Sequence, residues 1–463
     1  MAEVIRHGTR AWVHDNRWDL VDRERDPDVA VAIIVPYFEQ PASLERMYAV
    51  IAADARPADR WELIVIDDGS AVPPPAPPAG FPIPTRRLSQ PDRGCRPGRA
   101  RNLGVAASSA EVLVLLDADT LPARGTIRRL AAWPARIPDA LVVGRRHHAD
   151  LSGWTPAAAV QWLAGRGPAP PIGSDPAWLD EGYRATGDLR RIDRRSYRFV
   201  ISAVMACHRC LYEDIGGFDP SRTEYGGDDW EMASRAYTNG AVLAHDPGAI
   251  AWHDEPDWSE RDGRLSTKNA ETMWLAESIP DPLARGAGIR HADTDVLVDL
   301  DVPVGVTAGG AVATIDSILA QLPDTTVRLP PHSPSRVLHH TAADPRVLVG
   351  EFSRRQRERA SLQITQHVPG VWQPGRLVAL TEQWRDCSDG VLVVGDARGP
   401  VATVTPSRAA GRRRRARTLA MPAEQVRQLV RTVHVSADDA GLRPLTGEVN
   451  LAAHFGQWGG VTR

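Results

Sequence analysis

Three stretches of this chain are apolar on consecutive residues: "AVAIIVPYF" (30–38), "WELIVID" (61–67) and "EVLVLLDAD" (111–119). A strand that is apolar on both faces must be covered on both faces, so such runs belong in a parallel sheet flanked by helices. Between the first two lies "ASLERMYAVIAADA", with Leu44, Met47, Val50 and Ile51 at helical spacing. Strand, helix and strand within about 40 residues make a βαβ unit. "RPGRARNLGVAASSA" predicts a second helix, with Pro97 in its first turn and an apolar face of Ala100, Leu103 and Ala107. Two of the strands end in acids, at Asp67-Asp68 and at Asp117/Asp119. Ligands of parallel sheets bind beyond the carboxyl ends of the strands, which places both acid clusters on one rim.

Other segments frame that rim. "AVPPPAPPAGFPIP" (71–84) is too proline-rich for a helix and reads as an extended spacer. Residues 145–195 read as an irregular excursion over the site, and 196–209 as a return to strand. "GGFDPSRTEYGGDDWEMASRAYTNG" (216–240) predicts a glycine-rich loop and a helix with Asp228 and Asp229 at its start, where acids complement the helix dipole. After about residue 285 a strand, helix, strand pattern restarts.

At 463 residues the chain predicts two or three domains. Its hydrophobic share of 43% supports real cores, and a net charge of −3 argues against a dedicated nucleic-acid binder. The charged N-terminus lacks the apolar core of a secretory signal, and no apolar run reaches the ~20 residues of a membrane span. A cytoplasmic protein, at most peripheral at a membrane, is expected. Four cysteines make no disulfide framework; "CHRC" (207–210) has the spacing of half a zinc site but no second pair, so buried thiols are the simpler reading.

Residues i and i+2 of an extended chain point the same way, so Asp117 and Asp119 can face one ligand. Hard cations such as Mg²⁺ or Mn²⁺ take oxygen ligands and bridge carboxylates to phosphates. The ordered set "AIIVPYFEQ", "VIDDGS", "GRARNLGVAASSAEVLVLLDADTLP" and "GGFDPSRTEYGGDDWEMASR", followed by His253 in "AWH", resembles the family-2 glycosyltransferases of GT-A fold, leaning toward the galactosyltransferase and chondroitin-polymerase type. The resemblance covers about 29–280.

That resemblance implies an α/β, Rossmann-like GT-A catalytic domain over 29–285, after an extension at 1–28. It implies a nucleotide-sugar site of Pro36, Tyr37, Glu39, Asp67, Asp68, Arg99, Arg101, Asn102, Asp117 and Ala118, with Asp68 on uracil. Asp117, Asp119 and His253 would hold Mn²⁺ or Mg²⁺. Asp229 would be the general base and Asp228 would bind acceptor, with Gly216, Gly217, Gly227 and Trp230 beside it. The family's usual Glu is Asp228 here, which keeps the charge and shortens the reach. A UDP-sugar donor and an inverting displacement follow from the resemblance. The acceptor stays open among glycan, lipid-linked glycan, peptide and small molecule. An Asp with a reference pKa of about 3.9 would be ionised at neutral pH without special tuning. The polar loop 254–264 is expected to fold over the donor.

Several motifs have a simpler alternative. Asp67-Asp68-Gly69-Ser70 also suits a plain turn. His147 and His148 face acceptor or serve as ordinary surface or core histidines. Trp154, Trp162 and Trp178 stack on sugars or fill cores. The "GRRRRAR" run (411–417) is expected to be a solvated face, the alternative being contact with an anionic lipid or an acidic acceptor.

The C-terminal region (290–463) reads as a smaller α/β domain and a degenerate, non-catalytic GT-A-like copy that supports a homodimer, binds acceptor or braces the first domain. "QPGRLVALTEQWRDCSDGVLVVGDAR" lies beside "RPGRARNLGVAASSAEVLVLLDAD" with Asp396-Ala397 on Asp117-Ala118 and Arg398 in place of the second acid. Pro303 pairs with Pro36, and "TTVRLPPHSP" stands where "DDGS" would be. A chance likeness of two parallel-sheet segments is the alternative. Two other functions compete with the transferase. A sugar-nucleotide nucleotidyltransferase would need a Gly- and Lys/Arg-rich signature after its first strand, which "VPYFEQPAS" lacks. A carbohydrate-binding or scaffolding pseudoenzyme fits poorly with an intact acid set.

Overall fold

The computed structural model describes residues 4–22, 28–254, 265–286, 288–301 and 306–456. The chain divides into two compact units, Met1–Tyr237 with Ala241–Leu275, and Ala276–Arg463 with Thr238–Gly240.

The first unit contains strands β1 (Val4–His7), β2 (Arg10–Val13), β3 (Val31–Tyr37), β4 (Trp61–Asp67), β5 (Thr85–Ser89), β6 (Val112–Leu116), β7 (Thr120–Pro122), β8 (Ala140–His148), β9 (Val204–His208) and β10 (Val242–His253). Its helices are α1 (Pro41–Asp54), α2 (Pro97–Ala106), α3 (Thr126–Arg136), α4 (Pro156–Leu163), α5 (Ala177–Thr186), α6 (Arg209–Asp214), α7 (Asp228–Thr238) and α8 (Leu265–Ser278). Eight strands form one sheet in the order β5-β4-β3-β6-β9-β8-β10-β7. β5, β4, β3 and β6 are parallel, β9 runs against both neighbours, and β10 returns parallel to β8. The three apolar runs are β3, β4 and β6, side by side at its centre; every residue of β3 and β6 is buried.

Helix α1 buries Leu44, Met47, Val50 and Ile51, as their spacing predicts. Helix α2 starts at Pro97 and buries Ala100 as expected, but the rest of its packing face is shifted. Leu103 is exposed, and the helix meets the sheet at Gly104, where an added Cβ would lie 2.6 Å from Ile66 Cδ1 and 2.8 Å from Ile34 Cγ2. A glycine lets helix and sheet approach more closely than a leucine face would. The expected excursion at 145–195 is more ordered than its composition suggests, since β8 runs to His148 and α4 and α5 follow. The N-terminal segment is tied in as well. Asn16 donates from Nδ2 to Leu243 O (2.9 Å) and accepts from Leu243 N (2.9 Å).

The second unit contains β11 (Val296–Leu300), β12 (Thr325–Leu329), β13 (Val347–Val349), β14 (Leu362–Gln366), β15 (Gly370–Trp372), β16 (Gly390–Asp396), β17 (Gly399–Pro406), β18 (Arg431–Ser436) and β19 (Leu442–Pro444). Its helices include α9 (Pro282–Arg285), α10 (Ala308–Leu319), α11 (Ser335–Thr341), α12 (Arg354–Arg359), α13 (Arg376–Trp384), α14 (Ser407–Thr418) and α15 (Ala423–Leu429). Its main sheet has the order β13-β12-β11-β14-β17-β16-β18. Strand for strand, in order and direction, this repeats β5-β4-β3-β6-β9-β8-β10 of the first unit.

The shared hydrogen bonds fix the register of the repeat. Arg209 N donates to Glu111 O, as Ser407 N does to Ser361 O (both 2.9 Å). Val242 N donates to Asp139 O (2.7 Å), as Arg431 N does to Asp389 O (2.9 Å). Asp117 N donates to Ala203 O (3.2 Å), as His367 N does to Val401 O (2.9 Å). Left-handed Gly125 and Gly375 stand at the N-caps of α3 and α13. This corrects the register expected from sequence. "GVLVVGDAR" is the counterpart of β8, not of β6, and Asp396 stands at the place of Arg146. Asp117 is matched by His367 and Asp119 by Pro369. Pro303 lies outside the described residues.

Candidate active site

A cavity of about 830 Å³ opens at the carboxyl ends of β3, β4 and β6, where the parallel topology requires a ligand site. Pro36, Tyr37, Asp68, Arg101, Asp117, Ala118, Asp119, Gly227, Asp228, Asp229, Trp230 and His253 all border it. Asp68 is buried at the end of β4. It accepts from Gln90 Nε2 (2.6 Å) and from Arg96 N (2.7 Å), which fixes its carboxylate at the wall.

Arg101, on α2, is 2% exposed and joins two parts of the site. It hydrogen-bonds Asp117, and its Nη1 lies 3.5 Å from Asp228 Oδ2. Burial alone would lower its pKa, but Asp117 and Asp228 outweigh burial and raise it. Asp228 Oδ2 is buried and accepts no hydrogen bond. Burial, followed by the charge of Asp117, raises the Asp228 carboxyl, against the opposing pull of Arg101.

Asp229 sits in the first turn of α7 and accepts from Trp230 N (2.8 Å) and Ser202 N (3.4 Å). Burial, then repulsion from Asp228, pushes its pKa up to about 7. The sequence expectation of an ordinary, fully ionised Asp is thereby corrected. The helix is anchored by Met232, Ala233 and Ala236 and by a buried Glu231–Arg235 pair (2.5 Å). Arg235 also donates to Gly217 O (2.7 Å).

Asp119 and His253 meet on the other side of the cavity, with Oδ1 and Nε2 3.5 Å apart. Two backbone features bring them together. β7 pairs antiparallel with the end of β10, setting His253 opposite Thr120, and Asp254 N donates to Asp119 O (2.9 Å). Gln40 Nε2 holds Asp119 Oδ2 at 3.2 Å. Among the described residues, no group of three or more His, Cys, Asp or Glu side chains is placed to hold a metal. Asp117 is engaged by Arg101 instead. One carboxylate and one imidazole still suit a cation that keeps most of its shell for phosphate oxygens.

Six of the expected residues lie away from the cavity lining. Asp67 accepts from Ser70 N (2.9 Å) and closes the 67–70 turn; Glu39 braces that turn from outside, accepting from Ala71 N (3.1 Å). Arg99 is exposed. Asn102 clamps a loop, donating to Phe218 O (2.8 Å) and accepting from Phe218 N (3.0 Å) and Tyr212 Oη (2.5 Å). Gly216 and Gly217 are left-handed, and a Cβ on Gly217 would lie 2.5 Å from Asn102 Oδ1. Both glycines serve the turn between α6 and the loop that leads to α7.

Among the other motifs, His148 lines the cavity with its ring edge-on to His253, while His147 bonds Asp175 (2.6 Å). Trp154 and Trp162 pack on the core. Trp178 borders the cavity and is 46% exposed. Of the loop expected over the donor, Asp254 is anchored by Arg46 and Leu151 N, and 255–264 lie outside the described residues. All four cysteines are free thiols. Sequence reasoning missed Gln40, Gln90, Arg96, Glu271 and Lys268. Lys268, the chain's single lysine, lies 5.0 Å over the Trp230 ring at the cavity wall. Its uniqueness in the sequence was the one available signal.

Among the described residues no helix is long and apolar enough to cross a membrane. Residues 32–184 match the model of glycosyl transferase family 2. The chain is 24% identical over 327 residues to a hyaluronan synthase of Pasteurella multocida, covering 67% of this chain and 33% of that protein. It is 24% identical over 265 residues to a chondroitin synthase of Escherichia coli, covering 54% and 38%. It thus spans between a third and two fifths of the length of these relatives. A mannosyltransferase of Pyrobaculum calidifontis, solved with GDP-Man and Mn²⁺, overlays at a TM-score of 0.36 and 18% identity, covering 57% of this chain and 67% of that one. Residues 32–184, which take in β4, β6 and all of β3 but its first residue, are thus similar to glycosyl transferase family 2.

Proposed function

We propose that the first unit transfers a sugar from a UDP-sugar to an acceptor hydroxyl, with inversion and with a divalent cation. One observation carries this reading: a single cavity holds Asp68, the Asp119–His253 pair and a half-buried Asp229 of raised pKa. Asp68 has two short hydrogen bonds and keeps lone pairs for the single ring N–H of uracil. Asp119 and His253 are the residues that would hold Mn²⁺ or Mg²⁺. The cation, when bound, offsets negative charge on the departing diphosphate.

Asp229 is poised to take the acceptor proton, because a base works best with a pKa near the working pH. Asp228 Oδ2, buried without a hydrogen bond, would receive a second acceptor hydroxyl. The acceptor oxygen bonds to the anomeric carbon as the bond to the diphosphate breaks; the proton moves to Asp229 and UDP leaves. A single displacement inverts the anomeric centre.

The second unit we infer to be non-catalytic. Its rim has His332, His367 and Pro369 where the first has Asp68, Asp117 and Asp119. Release of UDP from a panel of UDP- and GDP-sugars, with Mn²⁺ and with chelator, tests the catalytic reading. Turnover only with UDP-sugars and metal is expected; turnover with GDP-sugars alone, or undiminished in chelator, overturns the donor or metal assignment.

A further inference from the structure

The repeat exposes a feature that the transferase site leaves unused. Helices α6 and α14 start at the same hydrogen bond, yet α6 has 6 residues and α14 has 12. The glycine-rich loop that leads from α6 to α7 in the first unit has no counterpart, because α15 begins a few residues after α14. The extension of α14 carries Arg413, Arg414, Arg415 and Arg417.

These arginines do not share one fate, as a solvated face would require. Arg412 and Arg415 turn inward, and Arg412 Nη1 donates to Ser388 O (3.2 Å). Arg413 and Arg417, one turn apart, border a cavity of about 260 Å³ between α14 and α15, with Met421 and Val426 in its wall. Among the described residues neither guanidinium has a hydrogen-bond or carboxylate partner. The nearest acid on α15, Glu424, is paired with Arg427 (2.5 Å). Like charges four residues apart destabilise a helix. Burial, then the charges of Arg417 and Arg414, lowers the pKa of Arg413. A half-buried Arg413 and an exposed Arg417 thus stand at the mouth of a largely apolar cavity, with no anion among the described residues to offset them.

We propose that the α14–α15 cavity binds a phosphate group, gripped by Arg413 and Arg417, with Met421 and Val426 facing the carbon chain attached to it. Guanidinium forks suit phosphate oxygens. A phospholipid headgroup and a soluble phosphate share this chemistry, and the two arms of one experiment separate them.

The full-length protein is sedimented with phosphatidylcholine vesicles with and without phosphatidylglycerol, and titrated with inorganic phosphate. Binding to the phosphatidylglycerol vesicles alone assigns the lipid; saturable binding of inorganic phosphate without vesicle preference assigns the soluble ligand. In either case R413Q/R417Q should weaken binding roughly 25-fold, from about fivefold for each cation. Arg398→Gln, which removes one charge from an exposed turn, should leave it intact. The double variant should melt no lower than the wild type, since a repelling pair is removed. The proposal fails if the wild type binds neither probe, or if the double variant binds like the wild type. It fails equally if Arg398→Gln loses as much, or if the double variant melts lower, which would mark a structural pair.

Discussion

Asp229 works under opposing demands. As the proposed base it would have to be ionised, while desolvation, then the charge of Asp228, favours the neutral form. Transfer should therefore rise with pH through about 7 and level off above it, and Asp229→Asn should cut turnover by roughly 100-fold or more on that plateau, the gap narrowing as pH falls below 7. Stability runs the other way. A carboxyl whose folded pKa lies above its unfolded value contributes stability that is fully present below pH ~4 and lost as pH rises through the folded pKa. Asp229→Asn should then melt higher than the wild type at pH 8, with the advantage shrinking toward pH 5. Calorimetry at the two pH values checks this; an equal effect at both would show that the charge is not the cause. Asn102 tests a different residue-level reading. Because it clamps Phe218, Asn102→Ala should lower stability by about 1–3 kcal/mol and leave the KM for donor unchanged. A selective rise in donor KM would return it to the nucleotide site. The sequence marked both residues, since their types and neighbours are motif features. It did not mark their working states, which depend on Trp230, Ser202 and Phe218 reaching them through the fold.

At the scale of elements, the site depends on one irregular strand. β10 pairs with β8 up to Asp246, slips, and resumes at Ile250 before delivering His253 to Asp119. The slip is accommodated by Gly144 on β8, where an added Cβ would lie 2.3 Å from Ala249 O. A backbone oxygen in a sheet has little freedom to retreat. Gly144→Ala should cost about 1–3 kcal/mol in urea unfolding and weaken the Mn²⁺ dependence of turnover along with it. Loss of stability with an unchanged metal response would separate the slip from the Asp119–His253 pair. The alternation and apolar runs made β3, β4 and β6 legible. A bulge leaves no period, and neither Gly144 nor its partner segment "DPGAI" stands out among the chain's many glycines and prolines.

Over the whole molecule, a second sheet of like pattern was legible but the register of the likeness was not. Two apolar strands that end in Asp-Ala look alike because any covered strand is rich in valine and leucine, so "LLDAD" attracted "VVGDAR". Hydrogen bonds decide otherwise, since Asp389 and Asp139 accept the same backbone bond and Asp396 falls on Arg146. The second sheet has the same order and direction of strands, which folding requires, and other residues in place of the rim acids, which folding does not need. Residues at 396 and 398 should then carry no catalytic burden. Asp396→Asn and Arg398→Ala are expected to leave UDP release within about twofold of wild type, the range of a surface change. Asp119→Asn should lose roughly 100-fold or more, because the Asp119–His253 pair would have only its imidazole left to hold the cation. A loss at Asp396 comparable to that at Asp119 would mean that the second unit acts in the transfer itself and that the topological repeat is also a functional one.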